Sequence, residues 1–215
     1  MRQSIAVFFL LFVTGTSIQS AHIPHDGPAA PNFNQTYVAV LTQPSTVFNI
    51  IQKDFEKTNS YTAASYVQYV EQTGSQALIV PWDLPMQEMI HILEQTNGLV
   101  LPGGAADDTH KNAYTDRTYA IYQWAMQRNT DGYHYFIWAV CQGFEQMLIM
   151  SANNDFSVLD KGFADHTEHE VKIVDDQAWK RSKLFGRMNY YKAAYAFSRR
   201  DMLYGHEQGI TPEDF

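Results

Sequence analysis

Cys141 is the sole cysteine of the chain, in the segment Phe136-Ile137-Trp138-Ala139-Val140-Cys141-Gln142-Gly143-Phe144-Glu145. An apolar run, a small residue two places before the cysteine, a glycine two places after it and then a helix-forming stretch make the pattern of a nucleophile elbow. The sharp strand-to-helix turn pushes the thiol off the sheet edge, and the N-terminus of the following helix favours a thiolate. The backbone N–H of Gln142 then faces a developing oxyanion. A second donor has to come from another loop, and Gly103-Gly104, after Leu101-Pro102, can present N–H groups unobstructed. The competing reading is a buried cysteine closing a core strand, with the glycine pair an ordinary turn.

The elements that would position these groups follow from the apolar pattern. Tyr37–Leu41 reads as a buried strand, Ala63, Tyr66, Val67 and Val70 recur at helical spacing, and Gly74 stands where a C-terminal cap belongs. Ala77–Val80 is a second strand, Met86–Leu93 a short helix and Gly98–Leu101 a third strand. Thr115 is expected to cap a helix whose Tyr122, Ala125 and Met126 share a face, Tyr135–Val140 makes a fourth strand and Gly143–Met150 the next helix. Continuous apolar strands separated by helix-length segments predict an α/β fold, a three-layer sandwich with a mostly parallel central sheet. Ligands bind such sheets beyond the carboxyl ends of the strands, where the glycine loop and Cys141 both fall.

The chain has 215 residues, 45% hydrophobic, with 23 acidic against 15 basic side chains. That length holds one compact domain with a real core. One cysteine excludes an intramolecular disulfide and a cysteine-based zinc site, and a net charge of −8 argues against binding a nucleic-acid backbone. Residues 1–20 carry Arg2, the apolar run Ile5–Val13 and a small-residue exit, the form of a secretory signal peptide. Residues 21–36 read as a leader with a glycosylation sequon at Asn34, and no later segment is expected to span a bilayer. Secreted proteins usually pair their cysteines, so a lone one points to a reactive thiol.

Four segments together resemble the gamma-glutamyl hydrolases: Tyr37-Val38-Ala39-Val40-Leu41-Thr42-Gln43-Pro44, Ser60-Tyr61-Thr62-Ala63-Ala64-Ser65-Tyr66-Val67, Leu101-Pro102-Gly103-Gly104 and Trp138-Ala139-Val140-Cys141-Gln142-Gly143-Phe144-Glu145. These are cysteine peptidases of the class I glutamine-amidotransferase-like, flavodoxin-like superfamily. The resemblance implies one domain over residues 37–215 that cleaves gamma-glutamyl bonds, typically in folylpoly-gamma-glutamates or gamma-glutamyl peptides, without metal or cofactor. It implies a lysosomal, vacuolar or secreted enzyme, free of the membrane once the signal is removed, and allows a homodimer. By resemblance Cys141 is the nucleophile, Gln142, Gly103 and Gly104 are oxyanion donors, and Glu145 and His206 touch substrate. Ala139 departs from the family's glycine at that place.

The family draws its general acid from a late Trp-His-Pro-Glu segment that this sequence does not contain, so the domain is expected to be incomplete at its C-terminal end. Of the histidines present, His206 is the best local candidate for that acid or base, with substrate binding or a structural hydrogen bond the preferred reading; His22 and His25 lie in the leader, His91 on a helix, His134 before a strand, and His166 with His169 in a charged stretch too poor in ligands for a metal. Lys111 and Arg117, after the glycine loop, are candidates for a polyanionic substrate tail. A silent paralogue that binds gamma-glutamyl ligands, or pairs with another subunit, is the alternative. An ammonia-producing amidotransferase domain conflicts with the signal peptide.

Overall fold

The structure, a computed structural model, describes residues 35–45, 60–161, 167–169, 173, 176–199, 202–204 and 208–210. The expected signal peptide, residues 21–34 of the expected leader with His22, His25 and Asn34, and His166 and His206 lie outside the described residues.

Tyr37–Leu41 forms β1, and its residues from Val38 to Leu41 are all buried. Because side chains alternate across a strand, Ala39 and Leu41 enter one core while Val38 and Val40 enter another. A strand buried on both faces requires a layer on each side. β2 (Gln43–Pro44) and β3 (Ser60–Tyr61) make a short antiparallel pair that sets Gln43 opposite Tyr61. Then follow α1 (Ala64–Glu71), β4 (Gln76–Val80), α2 (Met86–Leu93), β5 (Gly98–Leu101), α3 (Ala113–Thr130), β6 (Phe136–Ala139) and α4 (Gln142–Ser151).

The strands pair in the order β4-β1-β5-β6, all parallel. Met89 and Leu93 of α2, Ile121 and Ala125 of α3, and Met147 and Met150 of α4 pack with Leu41, Leu99 and Leu101 on one face. Val70 of α1, with Tyr66 beside it, packs with Val38, Val40 and Val100 on the other. At roughly 1.5–3 kcal/mol for each large apolar side chain buried, these contacts hold the strand ends in place. The chain leaves β1 for β4 on one side and crosses to β5 on the other, so strand order reverses between β1 and β5. Outside the carboxyl ends at such a reversal lies the crevice where open α/β sheets bind ligands. Gln43 follows β1, the glycine loop follows β5 and Cys141 follows β6, all on that rim.

Thr115 is not the cap of α3. Asn112 is, its side chain accepting from the N–H groups of Tyr114 and Thr115 at 2.9 and 3.0 Å. Thr115 sits one turn further in and accepts from the Asn112 N–H at 2.8 Å, completing a capping box. The buried face of α3 is centred on Thr118, Ile121 and Ala125, with Tyr122 half-buried beside it.

The chain divides into two compact units, the second beginning at Leu159. There β7 (Asp160–Lys161) pairs antiparallel with β10 (Gln208–Gly209), and β8 (Thr167–His169) with β9 (Met202–Tyr204). Buried Trp179 of α5 (Asp176–Arg181) stacks on Phe185, their rings 4.8 Å apart, and meets the edges of Tyr190 and Phe197 of α6 (Tyr190–Phe197). Among the described residues no helix is long and apolar enough to cross a membrane.

Candidate active site

Cys141 occupies the junction of β6 and α4 with φ 53° and ψ −121°, a conformation that a residue bearing a Cβ enters only when its surroundings hold it there. Three contacts do so. The Val140 N–H donates to the Leu101 carbonyl at 3.1 Å, extending the β5–β6 pairing to the turn. The Cys141 carbonyl accepts from the N–H groups of Phe144 and Glu145 at 2.8 and 3.2 Å, starting α4. Gly143 then passes so close to β5 that a Cβ there would stand 2.3 Å from the Leu101 carbonyl oxygen. That contact is the physical reason for a glycine two places after the cysteine. Gln142 is the first residue of α4, so its N–H has no acceptor within the helix and remains beside the thiol.

The glycine loop is drawn against this turn. A Cβ on Gly103 would lie 2.6 Å from the Cβ of Cys141 and 2.7 Å from the Tyr66 hydroxyl, so the loop, the thiol residue and Tyr66 of α1 converge on one point. The Gly103 N–H donates to that hydroxyl at 2.8 Å. Gly103 is therefore committed to Tyr66, and Gly104 carries the loop amide next in line. Gln43 backs the loop: its Nε2 donates to the Pro102 carbonyl at 3.2 Å and to Gln142 Oε1 at 2.8 Å, while its Oε1 accepts from the Tyr61 hydroxyl at 3.0 Å. Gln142 Oε1 also accepts from the Ala106 N–H at 3.1 Å, and Gln142 Nε2 donates to the Ala106 carbonyl.

Burial raises the hydroxyl of Tyr66 above its ordinary value, and the neighbouring thiol adds to the effect. Burial does the same to Tyr61. Asp108, on the loop between β5 and α3, is 5% exposed, and its Oδ2 has no hydrogen-bond partner among the described residues. Burial, with the charge of Glu145 nearby, pushes its carboxyl up to about 7. Glu145 lies in the first turn of α4, where a carboxylate favours the helix dipole.

The structure thus brings together Cys141, Gln142, Gly103, Gly104 and Glu145, and adds Gln43, Tyr61, Tyr66 and Asp108. Spacing does not reveal these four, because they reach the rim from separate elements; the Ser60–Val67 motif is the sequence signal nearest to the two tyrosines. Arg117 donates to the Leu84 carbonyl and Lys111 pairs with Asp116 at 3.6 Å, so both cations are engaged within their own surroundings. His110 Nδ1 lies 3.3 Å from Asp107, both well exposed, and His91 is on α2. No group of three metal-ligating side chains occurs among the described residues.

A parallel α/β sheet that carries a strained cysteine elbow beside a glycine loop is the class of architecture the fold and site define. The peptidase C26 family model matches residues 38–195, and the chain belongs to that family. It is 29% identical over 161 residues to gamma-glutamyl hydrolase 1 of Arabidopsis thaliana, covering 74% of this chain and 44% of the relative. It is 30% identical over 127 residues to gamma-glutamyl hydrolase B of Dictyostelium discoideum, 59% of this chain and 35% of that protein. With the gamma-glutamyl hydrolase of Homo sapiens it shares 27% over 146 residues, 68% and 43% of the two chains. The match spans less than half the length of each of these relatives.

Proposed function

We propose that the chain hydrolyses gamma-glutamyl bonds through a thioester at Cys141, with gamma-glutamyl peptides or folylpoly-gamma-glutamates as substrates. The observation that carries this reading is the positive φ of Cys141 at the head of α4, directly against the glycine loop. The names of the relatives supply the bond. In this reaction the thiolate sulfur bonds to the carbonyl carbon of the gamma-carboxyl group and the carbonyl electron pair moves onto oxygen, where the amides of Gln142 and Gly104 meet it. Collapse breaks the C–N bond, and the amine leaves with a proton from a general acid. Water then adds to the thioester, the C–S bond breaks, and the gamma-carboxylate is released. Tyr66, which accepts from Gly103, keeps its own O–H to donate toward the sulfur or the oxyanion. Residues 1–20 support delivery through the secretory route, to a lysosome, a vacuole or the exterior.

The test uses two leaving groups. A gamma-glutamyl nitrophenyl ester departs without protonation, so it reports the nucleophile and the oxyanion donors alone; a gamma-glutamyl amide reports the general acid as well. The ester should acylate the chain in a burst that Cys141→Ala abolishes. Equal release by the chain and by Cys141→Ala would refute the assignment. Cys141-dependent acylation by the ester with no turnover of the amide would place the acid outside the chain tested.

A further inference from the structure

Gln142 serves the site twice, once through its backbone and once through its side chain. Its carboxamide is buried: Oε1 takes the Ala106 N–H at 3.1 Å and Gln43 Nε2 at 2.8 Å, while Nε2 gives to the Ala106 carbonyl and the side chain also hydrogen-bonds Asp108. The pair of bonds to Ala106 is what a neighbouring strand would make to that residue, with a side chain standing in for the backbone. Gln43 is bound as fully, both Nε2 protons going to Gln142 and Pro102 and Oε1 accepting from Tyr61. The orientation of each amide follows, since turning Gln142 over would set its NH2 against the Ala106 N–H and the NH2 of Gln43.

From this we infer that the Gln43–Gln142 pair is a clasp that positions the oxyanion hole, with Gln142 as the positioning residue that ties the loop donor to its own backbone N–H. Pro102 is held by Gln43 and Ala106 by Gln142, so the glycines between them are pinned at both ends. Gly104 is fitted to the clasp, because a Cβ there would fall 1.7 Å from Gln43 Oε1. The clasp couples the ends of β1, β5 and β6, the three strands that meet at the crevice. Loosening it leaves the thiol in place and moves the donors, and a displacement of about 1 Å at a reacting group costs roughly 100-fold. The inference rests on the proposed reaction for its purpose, though its geometry is independent of it.

The test separates the hole from the thiol in the full chain. N-acetylglutamate gamma-semialdehyde captures Cys141 reversibly: the S–H adds across the aldehyde, the C–S bond forms, and the oxygen that takes up the charge and then the proton lies in the hole. Iodoacetamide alkylates the same sulfur by displacing iodide and needs no oxyanion donor. Gln142→Leu should bind the aldehyde roughly 10- to 100-fold more weakly and be alkylated at the wild-type rate. The amides of residues 103–106 should exchange with solvent about tenfold faster or more. Gln142→Glu supplies the variant that keeps the shape. As a neutral acid it can still donate to the Ala106 carbonyl, and as a carboxylate it sets two oxygens against each other. Its aldehyde affinity should therefore approach wild type at acid pH and fall as pH rises, the nearby acids Asp108 and Glu145 holding that transition above the ordinary glutamate range.

Unchanged aldehyde affinity and exchange in Gln142→Leu would overturn the clasp. So would an equal loss in both chemical probes together with a pH-independent defect in Gln142→Glu, which would make Gln142 an ordinary core residue. A wild-type chain that is alkylated yet takes no aldehyde refutes the proposed reaction instead, and exchange at residues 103–106 still decides the clasp.

Discussion

A thiol held at φ 53° is a costly placement, on the order of 1–3 kcal/mol for a residue with a side chain. Asn153 and Asn154, the other described residues with positive φ and a side chain, lie at the end of α4, where asparagine commonly enters that region. Cys141→Gly should then keep or gain stability while losing all acylation, measured by urea unfolding beside the ester burst. A variant that loses stability would show that the thiol side chain itself supports the turn. Tyr66 allows a finer prediction, because its hydroxyl is the partner of Gly103 and lies beside the thiol. Tyr66→Phe removes the acceptor of the Gly103 N–H and the proton the hydroxyl could give. Acylation by the ester should slow roughly 10- to 100-fold with little change in KM. An unchanged single-turnover rate would confine Tyr66 to packing on α1.

At the scale of elements, Gly143 shows why the elbow has its sequence. The atom that a Cβ would meet 2.3 Å away is a backbone carbonyl on β5, and a carbonyl inside a sheet cannot swing aside. Gly143→Ala should cost about 1–3 kcal/mol and open the turn, seen as a lower urea midpoint with altered alkylation of Cys141; an unaltered midpoint would mean that β5 and α4 can part without cost. The cap of α3 is a second test. Asn112→Ala should lose about 1 kcal/mol, while Thr115→Ala should lose less because the Asn112 side chain still serves the first turn; the reverse ranking would restore Thr115 as the main cap. These elements also mark what the sequence discloses. The bounds of β1, α2 and β5 are legible because each is an apolar run closed by polar, proline or glycine residues, and the elbow is legible because its constraints are local. Asn112 goes unread because several polar residues precede α3 and the choice among them lies in the loop geometry. Gln43, Tyr61 and Tyr66 go unread as site residues because their partners lie up to 99 positions away, as between Gln43 and Gln142, and no spacing rule reaches so far.

At the scale of the whole molecule, one buried carboxyl ties stability to pH. Asp108 is nearly enclosed between the glycine loop and α4, and burial, with Glu145 adding, raises it to about 7 from an ordinary value of 3.8. The native chain therefore keeps the proton that the unfolded chain gives up at lower pH. The contribution of this group to stability is whole below about pH 4, declines as pH rises to about 7 and is flat above, because both states are then ionised. At about 1.4 kcal/mol for each tenfold difference in proton affinity between the two states, the loss is on the order of 4 kcal/mol. Asp107 runs the other way: its hydrogen bonds to Thr109, with His110 nearby, hold it below 3.8, so its share appears above the ordinary range and is lost as pH falls. A difference measurement removes most of the Asp107 contribution, leaving only its weak coupling to Asp108. Asp108→Asn keeps the shape and removes the titration, so its stability relative to wild type should climb between about pH 4 and about pH 7 and then level. Urea unfolding of the two proteins across that range measures the climb. A constant offset would show that Asp108 ionises alike in both states, its hydrogen bonds from Gln142 and its own backbone then offsetting the burial. A climb would mean that the glycine loop is best held in acid, where neutral Asp108 does not repel Glu145, and that the crevice formed by β1, β5 and β6 loosens as the medium approaches neutrality.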